Sequence, residues 1–124
     1  MQKILFVGVG GFVGAVLRYL ISGLVYETWG VAFPYGTLVV NVVGAFILGF
    51  IVSITNEHLF ISPDLKIVLT VGVLGAFTTF STFCYESMSL IQTGNTLRAT
   101  LNIFISVLLG LIFVFIGIKT GKLI

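Results

Sequence analysis

Long uncharged runs, cut by a few polar residues, set the pattern of this chain. Residues 4–17 carry no charge, Arg18 interrupts, and apolar residues resume as far as Tyr26 and Glu27. Residues 28–56 are uncharged throughout. Glu57, His58, Pro63, Asp64 and Lys66 form the most polar stretch. Residues 67–85 are uncharged up to Glu86, and residues 99–118 up to Lys119 and Lys122. A helix that crosses a bilayer needs roughly 20 apolar residues. The pattern therefore predicts four membrane-spanning helices, at 3–25, 35–56, 66–91 and 97–119, with turns at the 57–66 stretch and at Gly94-Asn95. Alternation is absent and the runs are too long for transmembrane barrel strands. The first run has no clear small-residue cleavage site and continues past Arg18, so it reads as a span and not as a secretory signal. With no linker, low-complexity tract or repeat, residues 1–124 read as one all-α, four-span domain.

Composition agrees with an integral membrane protein. Of 124 residues 58% are hydrophobic and 8% charged, and the mean hydropathy is +1.23. Soluble domains carry roughly 25% charged residues. A chain this short has too much surface to leave so few charges facing water. The net charge of +2 is far from the basic footprint of a nucleic-acid binder. The single Cys84 excludes an internal disulfide framework and a cysteine-based zinc site. The one histidine, His58, lies in the polar stretch and is given no special role; with no nucleophile–base pair, an enzyme is not expected. An even number of spans puts both termini on one side, together with the 57–66 stretch. Lys3, Lys66, Lys119 and Lys122 then oppose Arg98, joined by Arg18 if it snorkels outward. This excess favours cytoplasmic termini, yet it is small enough to leave both orientations in one membrane open.

Several residues are costly in hydrocarbon. Arg18 carries a charge worth about 2.5–3.5 kcal/mol on insertion scales; it either snorkels to the interface or lines a wet vestibule that attracts anions. Glu86 either sits at a vestibule mouth or pairs with a cation. Asn41, one turn into the second span, is either an interhelical hydrogen-bonding residue or a pore-lining donor. Asn102 and Ser106, four apart in the fourth span, share one face and the same two readings. Of the fifteen glycines, Gly10 and Gly14 form a G-x-x-x-G pair, and Ala45 and Gly49 a small-x-x-x-small pair, suited to close helix packing. A dinucleotide fingerprint fails, because the third glycine after Gly8 and Gly10 would fall at Val13.

The densest signal is Gly75-Ala76-Phe77-Thr78-Thr79-Phe80-Ser81-Thr82-Phe83. Three phenylalanines recur every third residue, and four hydroxyls fill the gaps. Hydroxyl side chains offer the backbone alternative hydrogen bonds, so a local break in the third helix is expected here. Broken helices at membrane depth persist only when buried in protein or lining a wet cavity. Freed carbonyls at such a break could ligate a cation. Phe80 and Phe83 would stand on one face, either as packing or with their electropositive ring edges toward an anion.

Three segments resemble the small fluoride channels of the Fluc, or CrcB, family. Gly10-Gly11-Phe12-Val13-Gly14-Ala15-Val16-Leu17-Arg18-Tyr19 is similar to a first-span signature G-G-x-x-G-A-x-x-R-Y. Pro34-Tyr35-Gly36-Thr37-Leu38-Val39-Val40-Asn41-Val42-Val43-Gly44 resembles the second-span P-x-G-T-L-x-V-N-x-x-G. Gly72-Val73-Leu74-Gly75-Ala76-Phe77-Thr78-Thr79-Phe80-Ser81-Thr82-Phe83 resembles the third-span G-x-x-G-x-(F/L)-T-T-F-S-T-F. The resemblance covers essentially the whole chain.

It implies an antiparallel, dual-topology homodimer in the bacterial inner (plasma) membrane, with two fluoride pores built from both chains. By motif position Phe80 and Phe83 correspond to paired pore phenylalanines and Asn41 to a pore amide. Thr37, Thr79, Ser81 and Thr82 fall in or beside the polar tracks, and Arg18 and Glu86 at a vestibule or pore end. A structural Na⁺ at the dimer centre would be held by the carbonyls of Gly75 and Thr78, two from each chain. In the fourth span Ser106 fits a hydroxyl track, while Asn102 and Gly110 depart from it. The implied function is passive export of fluoride that relieves its toxicity. The competing reading is a small proton-coupled multidrug or cation exporter. Such a protein needs a first-span carboxylate, which residues 4–26 lack, so Glu86 would have to serve.

Overall fold

The computed structural model describes residues 1–57, the side chain of Glu57 excepted, and residues 61–124. His58 lies outside the described residues. The order is α1 (Gln2–Trp29), α2 (Tyr35–Glu57), α3 (Pro63–Ile67), a π-helical segment (Val68–Leu74), α4 (Gly75–Phe77), α5 (Phe80–Gln92) and α6 (Thr96–Gly121). There is no strand among the described residues. Among the described residues four stretches are long and apolar enough to cross a membrane: Gln2–Trp29, Tyr35–Asn56, Pro63–Gln92 and Thr96–Gly121.

The ends follow local chemistry. At 1.5 Å per residue α1 is about 42 Å long, more than the roughly 30 Å hydrocarbon core. It therefore passes the expected end at residue 25 by one turn. Its last residues keep their helical bonds, and Gly30, at φ 83°, closes it by donating to the Tyr26 carbonyl at 2.9 Å. The third span begins three residues before the expected position 66. Pro63 takes the first helical position, and the Ser62 hydroxyl accepts from the Leu65 N–H at 3.3 Å. The turn at Gly94-Asn95 is present, with Gly94 at φ 80°.

Polar contacts mark the two ends of the bundle. Lys3 pairs with Asp64 at 2.7 Å, and Lys66 donates to Asn56 at 2.9 Å. At the opposite end Arg98 donates to the Ala32 carbonyl at 3.2 Å. The N-terminus and the start of the third span thus share one end, as an up-and-down plan requires.

Small residues let the helices close up. α1 packs on the π-helical segment and α4, and α2 packs along α6. A methyl on Gly14 would collide with the Val73 carbonyl, and one on Gly72 would press on the Val7 backbone. Gly49 lies against Val114, while Gly117 and Gly121 lie against the Phe46 and Phe50 backbones. The α1 pair Gly10 and Gly14 was legible as a packing motif; Gly117 and Gly121, at the same spacing in α6, complete the other interface. Val40, Leu74 and Phe77 form the buried centre, with Ile21, Ile47 and Ile51 around it. Large apolar side chains such as Phe12, Phe104 and Phe115 point outward, as a lipid solvent or a second apolar surface demands.

Candidate functional site

The third span comes apart at Thr78-Thr79, the far edge of the expected 75–78 break. Thr78 (φ −87°, ψ 158°) and Thr79 (φ −149°, ψ 113°) are extended between α4 and α5. Asn41 holds them so. Its Oδ1 accepts from the Thr79 N–H at 2.7 Å, and its Nδ2 donates to the Thr79 carbonyl at 3.0 Å. One amide thus takes the Thr79 N–H that has lost its helical acceptor and adds a donor to the Thr79 carbonyl. The Thr79 hydroxyl then starts α5 by accepting from the Thr82 N–H at 3.2 Å; it also donates to the Thr82 hydroxyl at 2.9 Å and lies 3.4 Å from that of Ser81.

These bonds free two carbonyls. In a continuous helix the Gly75 carbonyl would accept from Thr79 N–H and the Thr78 carbonyl from Thr82 N–H. Both donors are committed elsewhere, to Asn41 and to the Thr79 hydroxyl. Two neutral oxygens free of their helical donors are a donor set that suits a hard cation such as Na⁺. No cluster of His, Cys, Asp and Glu able to hold a metal occurs among the described residues. Asn41, Gly44, Ala45, Gly75, Thr78 and Thr79 contribute to the wall of a cavity of about 330 Å³ beside the break.

The preceding π-helical segment, Val68–Leu74, had no signature legible in the sequence. It places Val68 and Val73 against Gly10 and Gly14 of α1.

Phe80 and Phe83 do share a face of α5, with ring centroids 5.8 Å apart and planes tilted by 39°. Phe80 is 77% exposed and Phe83 half-buried. The Phe80 ring is therefore available to something outside the single chain. Ser81 and Thr82 are exposed beside it, whereas Thr79 is buried.

Glu86 lies three residues beyond Phe83 on α5, about a third of a turn round the helix from Phe80. Its Oε1 accepts from the Tyr26 hydroxyl at 2.7 Å, and its Oε2 is buried without a partner among the described residues. The same Tyr26 oxygen lies 3.2 Å from the Thr37 hydroxyl and accepts from the Thr37 N–H at 3.4 Å. Thr37 is buried. Tyr26 was not singled out in the sequence. Its available signal was Gly36, where a methyl would run into the tyrosine ring.

Asn102 and Ser106 share a face as expected. Ser106 donates to Asn102 Oδ1 at 3.3 Å, and Asn102 Nδ2 donates to Ser87 Oγ at 2.9 Å. Asn102 is 1% exposed, so it ties α6 to α5 from within. Ser87, which donates on to the Phe83 carbonyl at 2.8 Å, was passed over in the sequence. Gly110 faces open space. Arg18 is half-buried, without an ion pair or a side-chain hydrogen bond among the described residues, and is not joined to Glu86.

The fold thus gathers Asn41, Gly75, Thr78, Thr79, Ser81, Thr82 and Phe80 at one break. It joins Thr37 to Glu86 through Tyr26, and Ser106 to Asn102 and Ser87. Arg18 stands apart. The donors at the break are amides and hydroxyls, with no lysine or arginine among them. Such a surface can solvate a small ion without trapping it.

Comparison with known proteins gives the same direction over nearly the full length. The chain is 44% identical over 124 residues to the "Fluoride-specific ion channel FluC" of Geotalea daltonii, covering all of both chains. It is 48% identical over 120 residues to the protein of that name from Hydrogenovibrio crunogenus, covering 97% of this chain and 91% of the relative. It is 47% identical over 117 residues to the "Fluoride-specific ion channel FluC 1" of Methanosarcina acetivorans, covering 94% and 88%. Residues 5–118 match the family described as "CrcB-like protein, Camphor Resistance (CrcB)". With a helix break held by Asn41, four membrane-spanning helices and this match, the chain belongs to the CrcB family of multi-pass membrane proteins.

Proposed function

We propose that the protein is a fluoride-specific channel that lets cytoplasmic fluoride leave the cell down its gradient. The observation that carries this is the break at Thr78-Thr79: Asn41 amide, hydroxyls and the Phe80 and Phe83 rings stand together on one face of a membrane-spanning segment. Fluoride is small and strongly hydrated, so a pore must replace its water with donors. N–H groups, hydroxyls and ring edges do this without a full positive charge, which would hold the ion too tightly to conduct. The second N–H of Asn41 Nδ2 is the donor left for the ion once the first is given to Thr79. Full-length relatives bearing the name of fluoride-specific channels support the reading.

The working unit is an antiparallel homodimer in the bacterial inner membrane, with two pores built from both chains. Phe80, largely exposed on one chain, supports a site completed by a second copy. Phe80, Phe83, Asn41, Thr37, Thr79, Ser81, Thr82 and Ser106 line the pores, with Arg18 and Glu86 toward the vestibules. The Gly75 and Thr78 carbonyls of both chains would hold a structural Na⁺, which would supply positive charge to an interior that must admit anions.

The test is efflux from liposomes loaded with potassium fluoride, released by valinomycin and followed with a fluoride electrode. Fast fluoride release with negligible chloride release is expected, and Phe80→Ile abolishes it. No fluoride release from intact, folded dimers would overturn the reading. Proton-coupled cation export through Glu86 would then be measured in the same vesicles.

A further inference from the structure

Tyr26 joins three helices through one oxygen. Its hydroxyl proton goes to Glu86 Oε1 at 2.7 Å. Because that proton is committed, the Thr37 hydroxyl at 3.2 Å must donate toward Tyr26, as the Thr37 N–H does at 3.4 Å. The result is a directed chain from α2 through α1 to a carboxylate on α5. Glu86 has no other hydrogen bond among the described residues, and its second oxygen is buried without a partner. The carboxylate is therefore held in place by Tyr26 alone.

Its position makes that hold matter. Glu86 neighbours Phe83 at i, i+3 on α5 and stands about a third of a turn round the helix from Phe80. Beside Glu86 a cavity of about 250 Å³ opens, lined in part by Tyr26, Phe33, Tyr85 and Ser89. A carboxylate stripped of its one hydrogen bond is costly to leave buried. It would swing into that cavity, where it can meet water, and its negative charge would no longer be fixed in one place.

Resting on the fluoride-channel reading, we propose that Tyr26 is a positioning residue that latches Glu86 against α1 and α2 and so fixes where its negative charge stands at the pore end. Tyr26→Phe keeps the ring that packs on Gly36 and removes only the latch.

The test is a double-mutant cycle in fluoride-loaded liposomes, with Tyr26→Phe, Glu86→Gln and the double variant. Tyr26→Phe is expected to lower fluoride efflux about ten-fold, the scale of one hydrogen bond to a charged group. In the Glu86→Gln background, where no charge needs holding, the same change has no effect. Tyr26→Phe efflux equal to wild type overturns the proposal, as does an equal loss in both backgrounds, which would mark a purely structural role. If Tyr26→Phe yields no intact dimers, dimers restored in the double variant would support the latch, and dimers still absent there would mark a purely structural role and overturn it. Wild-type protein that fails to conduct fluoride would instead refute the channel reading itself, and the latch with it.

Discussion

Asn41 commits both ends of its amide to one peptide, and that geometry predicts how it fails. Asn41→Asp removes the donor to the Thr79 carbonyl and sets a carboxylate oxygen against it. Leaving such a buried polar contact unmade costs about 1–3 kcal/mol. The expected outcome is fluoride efflux reduced to that of protein-free vesicles, with a lower thermal midpoint in detergent. Asn102 is a different case. It is the more deeply buried amide, yet its partners, Ser87 and Ser106, tie α5 to α6 away from the break. Asn102→Leu strands polar groups on both helices and is expected to destabilise by about 1–3 kcal/mol. Calorimetry of the purified protein should show this larger than the loss from Ser106→Ala, which removes one contact of 3.3 Å. From sequence the two asparagines carried the same pair of readings. Only the partners separate an amide that props open a break from one that joins two intact helices.

Among the elements, the third span shows most clearly what chain pattern can and cannot say. The run of hydroxyls announced a break, because Thr and Ser side chains compete for backbone donors. It could not announce which peptide would open. That was decided by where α2 brings Asn41, 38 residues away along the chain. The π-helical segment ahead of it depends in the same way on α1 lying against it. Helix packing predicts a sharp contrast between glycines. Gly14→Ala puts a methyl into the Val73 carbonyl, and backbone cannot move aside cheaply. Overpacking of this kind costs about 1–3 kcal/mol. Gly110→Ala meets nothing within 4 Å and should not destabilise. Thermal midpoints of the two variants, measured side by side, check the ranking.

For the whole molecule, the outward-facing apolar surface calls for apolar surroundings outside one chain. If the unit is antiparallel, a cysteine placed at residue 122 in a Cys84→Ser background will be labelled from both sides of the membrane in comparable amounts. Labelling from one side only would refute dual topology. If Na⁺ ties the two breaks together, replacing it with an organic cation will lower the melting point of the dimer; an unchanged melting point would remove Na⁺ from the reading. The ends of the bundle agree with the charge pattern, since Lys3 with Asp64 and Arg98 with Ala32 mark opposite faces. The cationic excess on the Lys3 face remains small, so charge alone does little to fix one orientation.

The sequence by itself determined four spans, their approximate ends, the existence of a break in the third and the chemical types gathered near it. These follow from local properties: runs of apolar residues, charges that cannot enter hydrocarbon, and hydroxyls that compete for the backbone. The tertiary structure decided the rest: that Asn41 rather than solvent satisfies Thr79, that the Gly75 and Thr78 carbonyls lose their helical donors, and that Tyr26 holds Glu86. The Asn41–Thr79 and Tyr26–Glu86 bonds join residues far apart in the chain. A hydrogen bond between distant residues exists only once packing has brought donor and acceptor within about 3 Å, and no pattern along a single chain records that distance.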